Sequence, residues 1–127
     1  MKIHEYQAKE LFRKFNVPTP KGKLAHTTAE VEKIAEEFGY PVVVKAQVHA
    51  GGRGKGGGVK LAKTKGDVKP VADSIIGMTL VTKQTGAQGK KVRKVLVEEG
   101  LNIKKELYLS VIPDRETATV AIVCSQD

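Results

Sequence analysis

Residues 45–60 read KAQVHAGGRGKGGGVK and place six glycines and four cations around His49. Glycines and cations at this density suggest a phosphate loop, and spacing tests which kind. A Walker A loop, G-x-x-x-x-G-K-[ST], needs lysine directly after its second glycine. Counted from Gly51 or Gly52, that position is Gly57 or Gly58, so the motif fails. The string G-x-G-x-x-G does run from Gly52 to Gly57, but the dinucleotide fingerprint requires a helix directly after it and an acid about 20 residues on. The chain instead continues as GVKLAKT, in which Val59, Lys60 and Leu61 alternate as in a strand. The preceding YPVVVKAQV is short and rich in β-branched residues, and reads as a strand with apolar neighbours on both faces. Strand, glycine loop, strand is a hairpin. Two readings remain: a lid whose main-chain N–H groups approach phosphates closely, or a link carrying solvated cations. Arg53 and Lys55 suit either. Lys45 tips the balance, because an inward ammonium in an apolar strand requires an anion, whereas one at a solvent-facing edge requires nothing. Next to the glycine loop, phosphate contact is the better reading.

Working outward, Ala8, Leu11, Phe12 and Phe15 recur at helical spacing within residues 4–15, and Pro18 and Pro20 end that helix. The segment TTAEVEKIAEEFG carries Thr27 with Glu30 as a capping box, a stripe of Val31, Ile34, Ala35 and Phe38, and Gly39 as terminator. A third helix is expected over 67–76, with Pro70 in its first turn. Strands are expected near LVTKQT, VRKVLVEE, ELYLSVIP and TATVAIVCS. The order helix, helix, strand, strand, helix, four strands suggests an α/β sandwich with much antiparallel pairing.

At 127 residues the chain fits one domain with a true core. Its 22 Lys+Arg against 14 Asp+Glu give +8, which favours anionic partners. Three Phe, three Tyr and no Trp are few stacking platforms, so nucleic acid is not the expected partner. No apolar run reaches the ~18 residues of a membrane span, and the N-terminus lacks a signal-peptide core, so no membrane partner is expected. Cys124 lies in the apolar run VAIVCS and is expected to be a buried structural thiol. The histidines lack metal-ligand spacing, and no nucleophile triad is visible. Glu98 and Glu99 end one strand and Glu106 opens the next; carboxylates suit ribose hydroxyls, although spacing alone favours a solvated pair at a turn.

HEYQAKELF, VVKAQVHAGGRGKGGGVK, LVTKQTG and VLVEEGLNIKKELYLSVIPDR together resemble, in order and along the whole chain, the start of the succinyl-CoA synthetase β-subunit family. That resemblance implies an α/β (α+β) ATP-grasp fold in place of the looser sandwich. Its N-terminal lobe has a mixed, largely antiparallel sheet, and part of a second lobe is present. The implied divisions are a helix in 1–20 that belongs with the second lobe, the first lobe over 21–101, and the start of the second over 102–127. Carried over by position, Lys45 resembles the lysine that contacts nucleotide phosphates, and Gly52, Arg53 and Gly54 the phosphate-covering loop. Glu98 and Leu101 match the segment that meets the base, and Glu106 the acid that holds the ribose. His49 is not the phosphorylated histidine, which in this family belongs to the α subunit.

Members of that family are about three times as long, so the resemblance implies a truncated piece, inactive alone, with Mg2+ ligands beyond Asp127 and an apolar surface where the missing lobe would pack. It further implies ATP (with GTP possible), succinate and CoA as ligands, an α subunit as partner, and a cytoplasmic location, or the mitochondrial matrix in a eukaryote. No catalytic residue is assigned. A malate–CoA ligase β subunit is the alternative within the fold, and a basic RNA-binding module the alternative outside it.

Overall fold

The computed structural model describes residues 2–126. Three helices and eight strands run in the order α1 (Glu5–Lys14), β1 (Gly22–Ala25), α2 (Thr28–Phe38), β2 (Val42–Ala46), β3 (Val59–Ala62), α3 (Lys65–Ile75), β4 (Thr79–Leu80), β5 (Lys90–Lys91), β6 (Val95–Glu99), β7 (Tyr108–Asp114) and β8 (Thr119–Ser125). The main sheet has the order β1-β6-β2-β3, and every pairing in it is antiparallel. The expected mixed sheet is therefore, among the described residues, antiparallel throughout. The hairpin around the glycine loop forms as expected, with Lys45 opposite Val59 and Val42 opposite Ala62.

One face of this sheet makes the core. Val42, Val44 and Ala46 of β2 alternate inward, and their cross-strand partners Val97 and Val95 of β6 share that face. Onto it α2 brings Val31, Ile34 and Ala35, and α3 brings Val68, Ala72 and Ile75. α2 begins where expected: Thr27 Oγ1 accepts from the Glu30 N–H at 3.3 Å, and Gly39 closes the helix at φ 77°. The Glu30 carboxylate accepts from the His26 N–H at 2.7 Å, one residue before the cap itself.

Four expectations are corrected. α3 starts at Lys65, two residues earlier than spacing suggested, because Asp67 accepts from both the backbone N–H and the hydroxyl of Thr64. Pro70 consequently sits in the second turn. KGKLA, where no strand was expected, supplies β1, since an edge position beside β6 needs no long apolar run. Of LVTKQT only Leu80 belongs to a strand, the end of β4; beyond it Thr82 and Thr85 close a turn, with the Thr82 N–H donating to Thr85 Oγ1 at 2.8 Å. Cys124 is exposed, because among the described residues β8 pairs only with β7 and both faces of that hairpin carry exposed apolar residues, Leu109 and Ile122 on one and Ile112 and Val123 on the other. In α1 the apolar stripe of Leu11, Phe12 and Phe15 is exposed, and the helix buries no residue.

Candidate functional site

The second face of the main sheet is polar at its centre. Lys45 lies opposite Leu96, and Glu98 opposite Val43, so the lysine and the carboxylate are diagonal neighbours on adjacent strands. Their side chains meet, with Lys45 Nζ 2.5 Å from Glu98 Oε2. Glu98 is only 2% exposed and would be costly there without cations. Lys9 of α1 supplies the second one, pairing with Glu98 Oε1. Glu5, one turn before Lys9, adds its own carboxylate 3.1 Å from Lys45 and 2.7 Å from Arg53 Nη2. The other Arg53 amino group donates to the Ala46 carbonyl at 2.7 Å, which ties the glycine loop to the end of β2. Gln47 completes the cluster, accepting from the Tyr6 N–H at 3.2 Å. α1 is thus docked by charge and hydrogen bonds, which is why its apolar side chains can remain outside.

The electrostatics arise from this packing. Burial alone would raise the Glu5 carboxyl, but the Arg53 hydrogen bond and the Lys45 and Arg53 charges outweigh it and hold its pKa at about 2. Burial also works against the Lys45 ammonium, yet Glu98 and Glu5 overcome it and move its pKa above the ordinary lysine value. His4 stacks on His49 with ring centroids 3.9 Å apart. Burial, with His49, Lys94 and Arg53 nearby, lowers its pKa.

Beside this cluster an open cleft of about 760 Å³ runs beneath the glycine loop, lined by Gly52, Arg53, Gly54, Lys55, His49 and Glu5 among others. The loop closes on itself through N–H donors from Gly56 to Gly52, from Gly57 to Gly54 and from Gly58 to Arg53. The amides of residues 52–55 make no hydrogen bond among the described residues, so four consecutive donors remain for an anion, as in the first turn of a helix. Gly52 needs its glycine for φ 73°. Gly56 needs its own for closeness, since a Cβ there would fall 2.8 Å from Leu80 and 2.9 Å from the Val81 carbonyl. Gln84 holds the near side of the loop, accepting from the Gly51 N–H at 2.6 Å.

Lys45, Arg53 and Glu98 therefore belong to one ion cluster, with Gly52 and Gly54 on the adjoining cleft. Leu101 and Glu106 do not line that cleft; both are exposed, Leu101 just past β6 and Glu106 in the segment before β7. Glu5, Lys9 and Gln47 were not singled out by sequence reasoning. The signal for the first two was present, since Glu5 and Lys9 stand four apart on one helical side, the spacing of an intrahelical ion pair. Among the described residues no group of three or more His, Cys, Asp or Glu side chains could hold a metal ion, and Glu5 and Glu98 are already neutralised by cations. These residues do not fit a metal, and no step is routed through one.

An antiparallel sheet backed by two helices, with a glycine hairpin over a cationic cleft, is matched over residues 2–127 by the ATP-grasp domain model. The chain belongs to the ATP-grasp domain family. More particularly, it is 61% identical over 127 residues to the succinate–CoA ligase [ADP-forming] subunit beta of Syntrophobacter fumaroxidans, covering 99% of this chain and 33% of that one. It is 59% identical over 128 residues to the subunit of the same name from Cupriavidus pinatubonensis, covering 100% of this chain and 33% of the relative. The chain thus spans about a third of the length of these relatives. Among solved structures, PH1788 from Pyrococcus horikoshii superposes with a TM-score of 0.78 at 26% identity, covering 98% of this chain and 52% of that one. A dinucleotide-forming acetyl-coenzyme A synthetase from Ca. Korarchaeum cryptofilum gives 0.78 at 22% identity, covering 96% and 53%, a likeness of fold.

Proposed function

We propose that this chain is the nucleotide-binding N-terminal part of an ADP-forming succinate–CoA ligase β subunit. The carrying observation is the cleft beneath the glycine loop, where four uncommitted amides adjoin Arg53, while Lys45 does not line the cleft itself but pairs with Glu5, which does. Identity of 61% and 59% to two β subunits of that name supports the choice of ligase. In this reading ATP, with GTP as the second candidate, places its phosphates on the amides of Gly52, Arg53 and Gly54 and against Lys45. Phosphoryl transfer depends chiefly on positioning and electrostatics, which is what fixed amides and held cations supply. Glu98 and Leu101 contribute to the base side and Glu106 to the ribose, with the second lobe beginning at residue 102 and the helix of residues 1–20 belonging with it. Mg2+ would be held by residues outside this chain.

The complete enzyme would join succinate and CoA at the expense of the triphosphate, through a phosphohistidine on an α subunit, in the cytoplasm. Lys45→Ala should lower ATP affinity of the full-length protein by about tenfold, as loss of a charge-assisted contact implies. Co-expression with an α subunit, and then CoA-dependent phosphate release with succinate and with malate, tests the acid. Activity with malate only would replace succinate by malate in this reading. Salt-steep RNA binding without nucleotide affinity would replace the enzyme reading altogether.

A further inference from the structure

Three elements of the fold converge on the Glu5 carboxylate. α1 contributes Glu5 itself, β2 contributes Lys45, and the glycine loop contributes Arg53. The two oxygens divide the work: Oε1 lies 3.1 Å from Lys45 Nζ and 3.3 Å from Lys9 Nζ, and Oε2 lies 2.7 Å from Arg53 Nη2 and 3.4 Å from Gln47 Nε2. Arg53 is pinned a second time by the Ala46 carbonyl, and Lys45 by Glu98. An ammonium has three N–H donors and a guanidinium five, so both cations keep donors beyond those spent on these partners. Without an anion between them, two like charges on long side chains would separate and sample many rotamers.

We propose that Glu5 is a positioning residue for the phosphate site, its two oxygens setting the spacing between the Lys45 ammonium and the Arg53 guanidinium before nucleotide arrives. This inference rests on the nucleotide reading above. Its ligand class is a nucleoside di- or triphosphate, since two cations spaced by one carboxylate, one of them on the loop that carries the free amides, match consecutive phosphoryl groups and exceed the needs of a single one. Glu5 touches the cations, and through them the phosphates.

The test is calorimetric titration of the full-length protein with ATP, ADP and AMP, for wild type, Glu5→Gln and Glu5→Asp. Ordering two long side chains beforehand predicts about a tenfold loss of ATP affinity in Glu5→Gln, with AMP changed less than about twofold. Glu5→Asp, which keeps the charge, should recover part of the ATP loss. Equal losses for ATP and AMP mean a merely structural role and overturn the proposal. Unchanged or tighter ATP binding in Glu5→Gln also overturns it, the tighter result marking Glu5 as a competitor for the cations. In both cases wild-type ATP binding leaves the nucleotide reading standing. No ATP binding in wild type removes that reading and this proposal together. Should the variants fail to fold, side-chain NMR of wild type decides: restricted Arg53 guanidinium rotation without nucleotide is expected, and free rotation overturns the proposal.

Discussion

On one face of the main sheet, Val42, Val44, Val95 and Val97 meet α2 and α3 through apolar contact; on the other, Lys45 and Glu98 meet α1 through ion pairs. The same two strands, β2 and β6, supply both layers, because successive side chains point to opposite faces. Burial of hydrocarbon is non-directional and needs only volume to be filled, whereas each charge on the second face needs a partner at a defined place. The apolar face therefore holds the fold together, and the charged face keeps cations poised beside the cleft at a cost in desolvation. Position in the sheet separates the apolar layer from the charged one here, with one residue of pitch between them.

The largest break in this contrast comes from placing a charge on the wrong face. Val44→Asp puts a carboxylate where exposure is 0%, opposite a Lys60 whose ammonium is already drawn away to Ser74, and should cost more than about 3 kcal/mol, read as loss of a cooperative urea transition. Glu98→Gln keeps the shape on the charged face but leaves Lys45 and Lys9 competing for the remaining acceptors. About 2–3 kcal/mol should be lost in the same measurement, below the full range for a deeply buried pair because both lysines reach solvent.

Acid acts next. Glu5 has a folded pKa of about 2 against an ordinary 4.5, so its contribution is complete above about pH 4.5 and disappears as pH falls through 2. Stability should drop by on the order of 2 kcal/mol across that window, and Glu5→Gln should flatten the pH profile there. At the alkaline end Lys45, whose pKa is raised, contributes fully below its ordinary value and loses that contribution only as pH climbs through the higher folded one. The smallest effect belongs to the exposed Lys23–Glu37 pair on the periphery: Lys23→Ala should change stability by less than about 0.5 kcal/mol, measured by thermal melting.

How much of this was legible varies by element, for physical reasons. α2 was legible because its Thr27 cap, its stripe and its terminal glycine are all local signals, although Glu30 accepts from the His26 N–H and not from the Thr27 N–H that a capping box requires. The hairpin of β2 and β3 was legible because failed motif spacing and a strand pattern after the glycines agree. The start of α3 was misplaced although its Thr64–Asp67 cap is also local, since Pro70 drew attention to the wrong turn. β1 was missed because four edge residues carry little pattern, and its strand character comes from pairing with β6. For α1 the helix was read correctly, and its apolar stripe lies exposed. Periodicity marks an apolar stripe without saying whether something covers it, and what docks here is the charged side. The site divides similarly: Lys45 and the loop were read from chemistry and spacing, Glu98, Leu101 and Glu106 from resemblance, and Glu5 from neither.

By itself the sequence determined a glycine hairpin that is neither a Walker loop nor a dinucleotide fingerprint, a strand lysine that needs an anion, and the likeness to ligase β subunits. Those are properties of spacing, composition and order along the chain. Only the tertiary structure decided which anions Lys45 meets, that Arg53 turns back to Glu5 and Ala46, and that α1 is held by charge. Apart from the Arg53–Ala46 bond, these contacts join residues 40 and more positions apart, and nothing in local propensity encodes which distant carboxylate a cation will find until the sheet register has been set.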